Sequence, residues 1–397
     1  MKKILLLGAF DRYNYGDNLM PLLFKMYVDK YAKEILADYV FEYTSISDSD
    51  LGKYCCLPTT SINKFTCDKS VCAVIVIGGE VLCAKNSGLF LHMQENSASH
   101  LILKYLSKIL RSAFSLYSDR KYSAKWEFPY IPETNFFDTK PKVIFNTVGG
   151  GISHLKNKHK NMVSARLESS DYVSVRDVRT MEEVNKFRNA ETVLSPDSAY
   201  IMSDLITDEF LNENVSEKIK NSTNSDYIVI QAAPSKLGAS KEDLISQIKK
   251  ISSSLKVKVV LLPIGYASGH DDFKLLKEVN ESVFEDTVLF YDLNVWEIMF
   301  VIKNAQVFFG TSLHGVITAM SFGVPHFGLN KSIKKLDSFL KDWSVPPFNR
   351  CYDVPDIENL ISLYSHDDIT VLKQRTDEII ALVKANNDKM LNVITRT

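Results

Sequence analysis

Four side chains in this sequence combine charge or a transferable proton with a position just past an apolar run: Asp17, Glu80, Arg176 and His314. His314 sits in Gly310-Thr311-Ser312-Leu313-His314-Gly315-Val316-Ile317-Thr318-Ala319, directly after Gln306-Val307-Phe308-Phe309. The apolar run reads as a buried parallel strand and Gly310 as its turn. Thr311 or Ser312 then caps a helix that ends near Phe322 and Gly323. Such a strand–turn–helix aims free backbone N–H groups and the positive end of a helix dipole into a crevice, which suits an anion. An imidazole there can pass a proton near neutral pH, the range in which imidazoles ordinarily titrate. The chemistry suggested is proton transfer beside a bound anion; the alternative is a capping or packing histidine.

The other candidates follow strands in the same way. Arg176 comes after Tyr172-Val173-Ser174-Val175 and is either a structural partner of acids such as Asp177 or a planar clamp for carboxylate or phosphate. Glu80 follows Val71 to Ile77 and the pair Gly78-Gly79, as a site carboxylate or a plain loop acid. Asn14 and Asp17 lie in the loop after the strand Lys3 to Leu7, with Asp17 or Asn18 expected to cap the next helix. His270 lies in the loop from Gly265 to Asp272. Ser312, Leu313, Gly315 and the amides of 314–316 would form the anion site, joined by a lysine from Lys331, Lys334 and Lys335. The acids and histidines lack metal-ligand spacing, so no metal is expected. No GxSxG or GxGxxG occurs, so neither a nucleophile elbow nor a dinucleotide fingerprint is read.

These residues need a scaffold that gathers strand ends. Short apolar strands alternate with helical patterns through both halves of the chain, which predicts two doubly wound α/β domains facing a cleft. At 397 residues the chain is long enough for two such cores. The polar, Asn- and Ser-rich stretch 214–226 divides them, giving domains 1–213 and 225–345, the second on the anion side. Residues 346–397 read as a helical tail crossing back over both.

A net charge of −1 gives no global attraction to nucleic acid, and none is expected as a partner. The six cysteines show no CxxC spacing and read as reduced thiols. The apolar start is too short for a signal peptide and reads as a strand. The expected location is the cytoplasm, extending to the inner face of the membrane. That extension comes from the basic aromatic stretch 104–130: from Lys104 to Lys125, Lys104, Lys108, Arg111, Arg120, Lys121 and Lys125 oppose only Asp119, among several aromatics. Basic and aromatic residues together suit an anionic membrane or a lipid diphosphate carrier; the alternative is a sheet-covering helix and a polar loop.

Four segments occur in the order and spacing of the polysaccharide pyruvyl transferase family, which the chain resembles from residue 4 to about 342. They are Asn14-Tyr15-Gly16-Asp17, Ser174-Val175-Arg176-Asp177, Ser195-Pro196-Asp197-Ser198-Ala199 and Thr311-Ser312-Leu313-His314-Gly315 through Gly323-Val324-Pro325. The resemblance implies a glycosyltransferase-B-like fold and transfer of the enolpyruvyl group of phosphoenolpyruvate to two hydroxyls of a sugar. That reaction forms a pyruvate ketal and releases phosphate. It implies contacts to phosphoenolpyruvate from Arg176 and Leu313-His314, with His314 in acid–base work and Glu80 or Asp17 on the sugar hydroxyls. Phosphoenolpyruvate would be co-substrate, with no cofactor. The acceptor would be a sugar of a surface polysaccharide, free or on a polyprenyl diphosphate. Many members carry arginine where this chain has Ser312, so an anion contact must come from elsewhere. The alternatives are a nucleotide-sugar glycosyltransferase of the same architecture and an inactive relative serving as an assembly partner.

Overall fold

In a computed structural model of the chain, which describes residues 1–92, 97–266 and 271–396, each half builds one parallel sheet. The first joins β1 (Lys2–Leu7), β2 (Tyr39–Ser45), β3 (Thr60–Ser61), β4 (Val71–Ile77), β5 (Lys142–Val148), β6 (Tyr172–Val175) and β7 (Val193–Leu194) in the order β3-β2-β1-β4-β5-β6-β7. The second joins β8 (Tyr227–Gln231), β9 (Lys258–Leu261), β10 (Thr287–Leu289), β11 (Val307–Gly310), β12 (His326–Leu329) and β13 (Cys351–Tyr352) in the order β10-β9-β8-β11-β12-β13. The two orders are the same doubly wound pattern, with one further strand on the first. Central strands are apolar on both faces, as a sheet covered by helices on both sides requires: Ile4 to Leu7 and Ala73 to Val76 are fully buried.

In a doubly wound sheet the strand order reverses beside the first strand, and the loops there diverge to leave a crevice. Here the crevices lie between β1 and β4 in one sheet and between β8 and β11 in the other. The strand ends, loops and helix starts that open them carry Asn14 and Asp17, Glu80, Gln231 and Ser312. The two halves meet at this level. Asn14 pairs with Gly265 in an antiparallel bridge. Tyr13 stacks on Tyr54 at 3.8 Å and on Tyr266 at 5.7 Å, and its hydroxyl donates to the Leu293 carbonyl at 2.6 Å.

Helix α1 (Tyr15–Tyr27) starts earlier than expected. Asn14 occupies the cap position, and Asn18 accepts the Asn14 backbone N–H at 2.9 Å instead of capping with its own turn. Residues 104–121 of the basic stretch lie in α2 (Ser97–Lys121), and the rest of it follows the helix as loop. The stretch 214–226 holds a short helix, Glu217–Ser222, because Ile219 is buried and pins it. The remaining helices that matter here are α3 (Val178–Asn185), α4 (Leu313–Ser321), α5 (Lys334–Trp343) and α6 (His366–Thr395). Helix α6 spans both halves. Its Thr376 hydroxyl donates to Met320 O of α4 at 2.9 Å, and its Asn386 amide donates to Asn146 of β5 at 2.7 Å.

Candidate functional site

The site grows from the carboxyl ends of β6 and β11. Arg176, immediately past β6, is 1% exposed. Its Nη1 donates to Asp197 Oδ2 at 3.1 Å and its Nη2 to Glu80 Oε1 at 3.2 Å. Gly149 makes room for it: a Cβ there would lie 2.8 Å from Arg176 Nε. Trp343 of α5 donates its indole N–H to the Arg176 carbonyl at 2.8 Å, tying the second half to the strand end. Of the two readings open for Arg176, the geometry matches the acid-paired one. Burial works against the guanidinium charge, but Asp197, Glu80 and Asp177 more than offset it and raise its pKa.

Asp197 also faces His314. Its Oδ2 lies 3.7 Å from His314 Nε2, and that nitrogen is buried without a hydrogen-bond partner. Burial pushes the Asp197 carboxyl up, yet His314 and Arg176 hold it down at about 2. The imidazole stacks against Gly16, where any Cβ would come within 1.8 Å of Nδ1. The Asn14-Tyr15-Gly16-Asp17 segment thus provides the gap in which His314 sits.

Asp17 and Glu80 behave differently although both flank this cluster. Burial dominates at Asp17 and raises its pKa, against the pull of His314, Arg12, Lys335 and Arg176. Among the described residues no hydrogen bond reaches its carboxylate. At Glu80 burial is outweighed by Arg176, Lys335 and Arg179, and the pKa falls; both arginines donate to it.

Beside Gly16 lies a cavity of about 170 Å³, walled by Asn14, Gly16, Lys236, Asp272, Ser312 and Lys335 among others. The start of α4 forms part of it. Gln231 Oε1 accepts the N–H groups of Thr311 and Ser312 at 3.0 and 2.9 Å, and Gln231 in turn donates to Asp272 at 2.8 Å. Ser312 caps α4 by accepting the Gly315 N–H at 3.5 Å, and the Val316 N–H goes to the Ser312 carbonyl. The amides without an acceptor among the described residues are therefore those of Leu313 and His314, one step earlier than the 314–316 expected.

The lysines separate cleanly. Lys331 pairs with Asp353 at 2.9 Å on the surface, and Lys334 is exposed. Lys335, one residue on, walls the cavity and makes no ion pair among the described residues. Burial pulls its pKa down to about 8, helped by Lys236 and Arg176 and opposed by Glu80 and Asp17. His270 lies outside the described residues. Spacing does not single out Asp197, Gln231 or Asp272; Asp197 stands in Ser195-Pro196-Asp197-Ser198-Ala199, where a buried acid at a strand end is the available signal.

Lys236 and Lys335 line this cavity together with Asn14, Gly16 and Ser312, and the His314 imidazole lies against its Gly16 wall. Among the described residues no cluster of acids, histidines and cysteines could hold a metal ion, and no helix is long and apolar enough to cross a membrane.

Comparison with solved structures shows a glycosyltransferase-B-like fold. The S. aureus MnaA–UDP structure superposes with a TM-score of 0.54 at 12% identity, over 96% of this chain and 91% of that one. The putative UDP-N-acetylglucosamine 2-epimerase of Listeria monocytogenes gives 0.52 at 9% identity, over 96% and 91%. The Methanocaldococcus jannaschii UDP-GlcNAc 2-epimerase bound to UDP-GlcNAc and UDP gives 0.52 at 10%, over 94% and 99%. No curated protein matches the sequence. The family model for polysaccharide pyruvyl transferase matches residues 14–332, which takes in all four segments and most of the chain, and on that match the chain belongs to the polysaccharide pyruvyl transferase family.

Proposed function

We propose that this chain transfers the enolpyruvyl unit of phosphoenolpyruvate to two hydroxyls of a sugar in a surface polysaccharide or its lipid-linked precursor. The observation that carries the reading is His314: a buried, unpartnered Nε2 faces Asp197, and its ring stacks on Gly16 of the cavity wall. The family membership supplies the reaction class.

The chemistry needs a proton on the methylene carbon, fixed positive charge at carboxylate and phosphate, and a group to receive hydroxyl protons. His314 delivers the proton to the methylene carbon, which becomes the methyl group. C2 turns electrophilic and the first sugar hydroxyl adds to it. The second hydroxyl then displaces phosphate and closes the ketal. One hydroxyl proton replaces the proton spent on the methyl group, and the other leaves with phosphate. Lys335, Lys236 and the Leu313 and His314 amides hold the anion. Arg176, already committed to Asp197 and Glu80, acts by fixing Asp197 against His314. Asp17, with its raised pKa and free oxygens, suits the hydroxyl protons better than Glu80 does.

A cavity of about 170 Å³ also favours a three-carbon phosphate over a nucleoside diphosphate, since pockets for drug-sized ligands measure roughly 300–1,000 Å³. Incubation with phosphoenolpyruvate and a panel of glycosides should release phosphate and give one glycoside the mass gain of a pyruvyl ketal. Thermal stabilisation by UDP and none by phosphoenolpyruvate would overturn the reading in favour of a nucleotide-sugar glycosyltransferase.

A further inference from the structure

Helix α2 turns an apolar stripe toward solvent. Leu101, Ile102, Tyr105, Ile109 and Leu116 are 65%, 61%, 67%, 57% and 61% exposed. At roughly 100° per residue they fall within an arc of about 100°, one face of the helix. The opposite face is anchored. Phe114 is buried with its ring 6.1 Å from Phe90, and Ser118, one turn on along the same face, is fully buried. Single exposed apolar residues are ordinary, but five large ones in one stripe mark a surface that something covers.

The charge around the stripe says what. Lys104 and Lys108 border it, both exposed and neither paired with an acid among the described residues. The helix carries five bases against Asp119 alone, and that acid is turned inward to Asn86. The chain as a whole has a net charge of only −1, so this positive character is local. A second copy seated on the same stripe would bring more unneutralised lysines and no acid. Lipid phosphates supply the missing negative charge, and acyl chains accept the apolar groups. No described helix is long and apolar enough to span a bilayer.

We propose that α2 docks this protein on an anionic lipid bilayer, lying in the interface with its apolar stripe toward the acyl chains and Lys104 and Lys108 at the phosphates. The proposal is independent of the reaction assigned above. Its test is co-flotation of the full chain with phosphatidylcholine vesicles and with mixed phosphatidylcholine–phosphatidylglycerol vesicles. Binding to the mixed vesicles should exceed binding to neutral ones at least tenfold and weaken with added salt. Lys104→Gln with Lys108→Gln should weaken it about 30-fold. Leu101→Ser with Ile109→Ser and Leu116→Ser should abolish it while the thermal midpoint stays put, because the side chains replaced are exposed. If the triple variant unfolds, the lysine pair and the salt series still decide. Equal binding to both vesicles, or none to the mixed ones, overturns the proposal. A wild-type dimer that the triple variant breaks, without vesicle binding, assigns the stripe to a second copy instead.

Discussion

Asp197 Oδ2 lies 3.7 Å from His314 Nε2, so a buried acid of the first sheet's domain faces an imidazole at the mouth of the second sheet's crevice. The same oxygen accepts from Arg176 Nη1 at 3.1 Å. One carboxylate thus holds a cation from its own half and faces an imidazole from the other.

The first prediction separates these roles. His314→Ala should lower kcat by about 10²–10⁴ while phosphoenolpyruvate still binds, measured by phosphate release and calorimetry. Ordinary turnover in that variant would remove His314 from the chemistry. Asp197→Ala leaves Arg176 short of a partner in a buried site and should cost about 3–5 kcal/mol of stability. The Asp197 carboxyl is held at about 2 in the fold, against about 3.9 for an unfolded Asp. The stability it contributes is therefore full above about pH 4 and disappears as pH falls through about 2. Denaturant midpoints followed down this range should fall less steeply in Asp197→Asn than in wild type.

A second prediction uses Gly16. In a helix interior Gly→Ala ordinarily gains about 1 kcal/mol from propensity. Here the added methyl would meet His314 Nδ1 at 1.8 Å, far inside contact distance, so the imidazole must swing away from Asp197. Gly16→Ala should fold, unfold at the same temperature within a few degrees, and lose most of its kcat. A variant with undiminished kcat would show that the position of His314 is not what the reaction needs.

The strands were legible because both-face burial leaves unbroken apolar runs: β4 and β6 fall where Val71 to Ile77 and Tyr172 to Val175 predict them. So was the placement of His314, because a strand, Gly-Thr and a helix start leave little freedom. Two things were not legible. Lys331, Lys334 and Lys335 look alike in sequence; the phase of α5 turns Lys335 to the cavity and Lys334 to solvent, and Lys331, in the turn before the helix, meets Asp353. Arg176 beside Asp177 suggested a local pair, yet its hydrogen bonds go to Asp197 and Glu80, 21 and 96 residues away. Long-range partners of a buried ion are set by sheet order, which spacing along the chain does not encode.

The third prediction follows from Lys335. With its pKa drawn down to about 8 by burial, the ammonium is mostly charged at neutral pH and loses its proton just above it. Anion binding favours the charged form, so phosphoenolpyruvate affinity should fall as pH rises through about 8. Lys335→Arg keeps its charge across that range and should abolish this fall. Lys335→Met should bind weakly at every pH, and Lys331→Met should bind as wild type. Calorimetric titrations from about pH 6 to pH 9 check all four; an unchanged slope in Lys335→Arg would place the titration elsewhere.

The last prediction concerns the relay behind α4. Asp272 Oδ2 accepts from Gln231 Nε2 at 2.8 Å, from Gly265 N at 3.1 Å and from Ile264 N at 3.2 Å. Gln231 then accepts the amides that open α4. Burial lifts the Asp272 carboxyl to about 6 despite these donors. A raised folded-state value means that its contribution to stability is full below about 3.9 and is lost as pH rises through about 6. Asp272→Asn keeps an acceptor without the charge, so it should equal or exceed wild type in stability at pH above about 6, by up to about 3 kcal/mol. Asp272→Ala strands three donors and should cost about 3 kcal/mol. It should also raise KM for phosphoenolpyruvate, because Gln231 no longer has a fixed side from which to hold Thr311 and Ser312. Chemical denaturation and steady-state kinetics on the pair distinguish the outcomes: a buried acid kept for its charge would make Asn as damaging as Ala, whereas one kept as an acceptor makes only Ala costly.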